Sequence, residues 1–126
     1  MPYIPFNNNP KNQRVGDCAV RAVSKALNKS WDDVYIGLCA EGLFYNDMPS
    51  ANYVWGMYLR QHGFEQKVIP SVCPMCVTVE QFCEDHPEGT YVLATQNHVV
   101  CADNGCWFDS WNSGNEVVLY YFEKEI

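Results

Sequence analysis

The sequence predicts an α+β domain in which N-terminal helices pack on a C-terminal antiparallel sheet. Two observations carry that reading. Apolar residues recur at three-and-four spacing between residues 17 and 62, and at spacing two from residue 90 onward, so helices and strands are segregated along the chain. No internal repeat, low-complexity tract or linker interrupts the 126 residues, and one domain spanning 1–126 is expected.

Residues 1–16 are rich in Pro and Asn, show neither period and read as an irregular lead-in. Asp17 is then a good N-cap for a helix whose apolar positions are Ala19, Val20, Val23, Ala26 and Leu27, closed by Asn28. Ser30 caps a second helix, with Asp32 and Asp33 favouring its positive end, Trp31, Val34 and Leu38 along one face, and Gly42 as its stop. A third runs from Ser50 or Ala51 to about His62, before Gly63. Lys67, Val68 and Ile69 form a short strand ended by Pro70. After the loop SVCPMC, Thr78 opens a short fourth helix that Pro87 and Gly89 terminate. Strands are expected over 90–95, 98–103, 106–111 and 116–124, joined as a meander through turns such as Asn104-Gly105.

Composition narrows the function classes. Apolar residues make up 48% and aromatics 14%, enough for a packed core. The net charge is −7, with only eight Lys and Arg and no basic cluster, which argues against nucleic acid or an anionic membrane as partner. No apolar run approaches the ~20 residues of a membrane span, and the first residues lack the pattern of a signal peptide, so a cytoplasmic location is expected. Seven cysteines in such a setting read mostly as free thiols and not as a disulfide framework.

Which of the seven has chemistry to do is decided by surroundings. A cysteine is nucleophilic as its thiolate, and a helix N-terminus favours that form; Cys18 stands at one. The ordinary reading of such a residue is a small buried thiol, and the catalytic one needs a base. Of three histidines, His62 and His86 end helices and are most simply solvent-facing, whereas His98 heads a strand. Counting across a hairpin turn at 104–105 pairs 103 with 106 and 101 with 108, which brings Asp109 to within about two residue steps of His98; Asn112 is the reserve. Asp17 is assigned to capping alone, since a carboxylate aimed at the thiol would raise its pKa.

Cys on a helix start, His at a strand head and Asp109-Ser110-Trp111 one hairpin later resemble the papain-like cysteine peptidases, whose motif after the histidine includes Asn-Ser-Trp. The Asp17-Cys18 pair is similar to the bacteriocin-leader peptidases, and most of residues 9–124 resembles small uncharacterised bacterial and phage members of the superfamily. The resemblance implies a papain-like fold and a cysteine hydrolase acting on a peptide, isopeptide or related amide bond of a peptide or protein substrate. In that scheme Cys18 attacks, His98 is the base, Asp109 orients it, and Trp111 shields the pair from water. Acyl transfer to an amine uses the same groups. The family's oxyanion glutamine lies six residues before its nucleophile; that position here is Asn12, and the neighbouring Gln13 is preferred for its reach. No cofactor is expected.

Two other readings are kept. Cys73, Cys76, Cys83 and His86 are spaced C-x2-C-x6-C-x2-H, which a zinc knuckle or, for Cys73 and Cys76, a redox dithiol would use; plain packing is the simpler account because Cys83 lies on the apolar face of its helix. The second is a catalytically silent binding module that keeps the peptidase fold and docks a partner through its acidic surface.

Overall fold

A computed structural model describes residues 2–69 and 76–125. Strand β1 (Tyr3–Pro5) is followed by helices α1 (Cys18–Leu27), α2 (Trp31–Tyr45) and α3 (Asn52–Gln61). Strand β2 (Phe64–Val68), helix α4 (Val79–Asp85) and strands β3 (Thr90–Ala94), β4 (Val99–Asp103), β5 (Cys106–Asp109) and β6 (Tyr120–Lys124) complete the chain. The fold is α+β, built on one six-stranded sheet in the order β1-β5-β4-β3-β6-β2.

Alternation along the strands gives the sheet two apolar faces. Val92, Ala94, Val99, Cys101 and Phe122 face α1, α2 and α3, meeting Val23, Val34, Leu38, Trp55 and Leu59. Leu93, Val100, Ala102 and Trp107 face the other way, against Phe82 and Cys83 of α4. The molecule is therefore three-layered, with α4 across the sheet from the helices that precede it.

Several expectations are corrected. The lead-in contains a strand: β1 runs parallel to β5 at the sheet edge, pairing Pro5 with Asp109. Beyond it, asparagine side chains organise the loop, since Asn9 Oδ1 accepts from the N–H groups of Lys11 and Gln13 and Asn8 Nδ2 donates to Ser24 Oγ on α1. Helix α2 passes Gly42 and stops at Tyr45, with Asn46 in the left-handed conformation. Gly42 serves close approach: a Cβ there would lie 2.6 Å from the Asp47 carbonyl oxygen. Strand β2 begins earlier than expected, at Phe64.

The meander holds only for β3, β4 and β5. Strand β6 starts at Tyr120 and inserts between β3 and β2. No helix among the described residues is long and apolar enough to cross a membrane.

Candidate active site

Cys18 is the first residue of α1, at the helix end where free backbone N–H groups and the dipole favour an anion. Helix α1 packs on β4, which brings that end to the head of the strand, where His98 sits. The bend before it is closed by Thr95, whose N–H and hydroxyl both donate to the His98 carbonyl, at 2.9 and 3.2 Å. Across the Asn104-Gly105 turn the register is as counted, Asp103 opposite Cys106 and Cys101 opposite Phe108, so Asp109 ends β5 beside His98.

The Asp109 carboxylate is 1% exposed and accepts four hydrogen bonds. Its Oδ2 receives His98 Nε2 at 2.5 Å and Ser113 Oγ at 2.6 Å; its Oδ1 receives Arg21 Nη2 at 3.0 Å and the Ser110 N–H at 2.8 Å. Burial pushes this carboxyl up, yet the bonds from His98, Ser113 and Ser110 and the His98 charge hold it below its ordinary value. With Nε2 on Asp109, the other ring nitrogen of His98 is left for Cys18. Burial disfavours the charged imidazole, but bonds and charge from Asp109 and Cys18 raise its pKa to about 9. Burial likewise pushes the Cys18 thiol up. A hydrogen bond and charge from His98, the Val99 N–H and the Arg21 charge overcome it and bring the thiol below its ordinary 9.0. Both shifts favour a thiolate–imidazolium pair.

Two residues that sequence reasoning passed over complete the site. Arg21, one turn beyond Cys18 and 6% exposed, spans Asp17 through Nη1 and Asp109 through Nη2. Asp17 makes no side-chain cap bond; its carboxylate takes Arg21 on Oδ1 and Trp31 Nε1 on Oδ2, the latter at 2.9 Å. Capping alone is thus the wrong role for Asp17. The signal available was the i,i+4 spacing of Asp17 and Arg21 on a helix whose buried face is otherwise made of Ala, Val and Ser. Ser113 carried no pattern that would single it out.

Other candidates fall elsewhere. Asn112 does not meet His98; its Oδ1 accepts from Trp107 Nε1 and the Gly114 N–H. Trp111 lies against His98, ring centroids 4.8 Å apart, with about two-fifths of its surface open. The cleft around Cys18 and His98, about 370 Å³, is bordered by Arg14, Val15 and Gly16 on one side and by Asn97, Ser110 and Trp111 on the other. Asn12 and Gln13 are exposed on the loop ahead of it and do not border it.

Cys73 lies outside the described residues. Cys76 is exposed, while Cys83 is buried in the α4 core with its pKa pushed up to about 12, chiefly by burial. His86 is half-buried: it stacks on Phe82 at 3.8 Å and bonds the Phe82 carbonyl through Nδ1. His62 is likewise half-buried, against Tyr58. Among the described residues no three His, Cys, Asp or Glu side chains converge as metal ligands.

Neither family models, curated proteins nor solved structures include a match to this chain.

Proposed function

We propose that the protein is a cysteine hydrolase of papain-like type, cleaving a peptide, isopeptide or related amide bond through Cys18, His98 and Asp109. The observation that carries the reading is the Asp109 carboxylate bonded to the His98 ring, which shares a cleft with a helix-N-terminal thiol whose pKa it lowers. The Cys18 thiolate adds to the carbonyl carbon. His98, already protonated, gives its proton to the leaving nitrogen, and a thioester remains on Sγ. The neutral imidazole then takes a proton from water, whose oxygen displaces the thiolate, and the pair is restored.

The Cys18 N–H is one donor to the oxyanion; the resemblance places the other at Asn12 and reach favours the neighbouring Gln13, whose loop must close toward the cleft for its amide to arrive. Bonds to four donors leave Asp109 no freedom to rotate, so it fixes the tilt and tautomer of His98.

Pulse alkylation with limiting iodoacetamide near pH 6, mapped by mass spectrometry, tests the proposal. Cys18 is expected to react at least tenfold faster than the exposed Cys76. Equal rates would remove the activated thiol. The outward side chains Ile36, Leu43 and Phe44 of α2, all more than three-fifths exposed, favour the second reading, a binding module, and equal rates would leave it standing.

A further inference from the structure

A second cleft adjoins the first. It encloses about 350 Å³ and shares Val15, Gly16 and Asp17 with the Cys18 cleft, but contains none of His98, Ser110 or Trp111. Its walls are the Ala19 and Val20 side of α1, Pro49 beyond α2, and Trp31 stacked on Tyr35 at 5.0 Å and 8°. Among the described residues the one charged side chain bordering it is Asp17, and that carboxylate is already occupied on Oδ1 by Arg21 and on Oδ2 by Trp31. A charged guest would find no counter-ion free to receive it, while an apolar guest would find flat aromatic and aliphatic walls.

Direction follows from the chemistry. The group that protonates the leaving nitrogen is His98, so the leaving portion of the substrate must lie along the His98, Ser110 and Trp111 side. The acyl portion then points the opposite way, over Val15-Gly16-Asp17. Because those three residues immediately precede Cys18, the acyl residue nearest them is the one that bears the scissile carbonyl.

Resting on the hydrolase reading, we infer that this cleft is the specificity pocket for the residue bearing the scissile carbonyl, and that it selects a large apolar or aromatic side chain there. A small residue such as glycine leaves the Trp31–Tyr35 wall wet, and an acidic or basic one is desolvated without a partner.

The test uses N-acetyl-X chloromethyl ketones with X as Phe, Leu, Gly, Asp or Lys, and N-acetyl-Phe-Gly chloromethyl ketone, each followed by the mass added at Cys18. Sγ displaces chloride and forms a thioether, so the rate reports how well X seats the warhead. Phe and Leu are expected to label Cys18 about tenfold or more faster than Gly, Asp and Lys, and faster than the Phe-Gly compound.

Tyr35→Glu, at an exposed position of the first half of α2, is expected to lower the Phe-to-Lys rate ratio at least fivefold; a ratio cancels any change in thiol reactivity. Rates for Phe and Gly within twofold, or a faster Phe-Gly compound, would overturn the assignment even where iodoacetamide still picks out Cys18. Iodoacetamide failing to pick out Cys18 would remove the nucleophile, and the pocket's role with it.

Discussion

Removing the Arg21 guanidinium is the sharpest perturbation the structure offers, because one buried cation neutralises two buried carboxylates. The side chains of Arg21, Asp17 and Asp109 are 7%, 4% and 1% exposed. In Arg21→Met the methionine fills much of the volume of the arginine stem, so packing is largely kept and the loss is electrostatic. Asp109 retains His98, Ser110 and Ser113, whereas Asp17 retains only the neutral Trp31 N–H, so most of the cost falls on Asp17. Stranding a buried charge costs about 3–5 kcal/mol, against roughly 5–15 kcal/mol for the whole domain. Asp17→Asn alone strands part of the guanidinium charge. The double variant removes both charges and leaves an amide oxygen for Trp31, so it is expected to cost less than the two single changes together. Urea denaturation followed by tryptophan fluorescence gives the three values, compared only where the slope m is unchanged. A coupling of about 2 kcal/mol or more is expected from the cycle. An exposed i,i+4 pair yields about 0.3–0.5 kcal/mol, and a coupling no larger than that would refute the role given to Arg21 as a buried brace.

The remaining expectations concern reactivity. Cys18 alkylation persists below its ordinary titration range and is lost as pH falls through the lowered thiol pKa; general-acid action by His98 is lost as pH rises through about 9, so hydrolysis follows a bell between these limits. In His98→Ala burial is opposed only by the Val99 N–H and the Arg21 charge, and alkylation at pH 7 is expected to drop at least tenfold and recover only toward pH 9; an unchanged pH profile would show that His98 does not set the thiol. Gln13→Ala is expected to lower turnover about 10²–10³-fold, and a loss under threefold would pass the oxyanion role to Asn97, which borders the cleft. Cys83, pushed up to about 12, and the fully buried Cys101, raised mainly by burial, are expected to resist a disulfide reagent in the native protein and to react within seconds in denaturant; fast native labelling of either would contradict the packing around them.

How much of this was legible in the residues depends on how local each cause is. The hairpin at Asn104-Gly105 sets its own register, since Asn104 at φ 51° and Gly105 at φ 81° supply the left-handed pair that a two-residue turn demands. That is why His98 and Asp109 could be placed together from a count along the chain. Strand β1 could not be seen, because three residues ending in proline acquire strand character only from a partner far along the sequence. The position of β6 was missed for a related reason: its period of two was legible, but which edge it joins is settled by the whole sheet. Gly42 was read as a stop signal because glycine usually is one, when the cause was a backbone passing close by. Asp17 shows the same limit at the site. Its capping pattern was local and its true partners, Arg21 and Trp31, lay on the buried faces of two helices.

Strand β1 holds the strand that carries Asp109 from outside: the Phe6 N–H donates to the Asp109 carbonyl at 2.7 Å, and the Tyr3 hydroxyl reaches the same oxygen at 3.2 Å. During synthesis, Tyr3 and Cys18 emerge long before either His98 or Asp109 exists, and Asp109 follows Arg21 by 88 positions. A growing chain therefore exposes Cys18 before the His98 and Val99 contacts that lower its pKa, or the buried Asp109 carboxylate, have been made. The order of the elements makes the lowered pKa of Cys18 a late product of folding, because His98 and Val99, two of its causes, are made about eighty residues after the thiol itself.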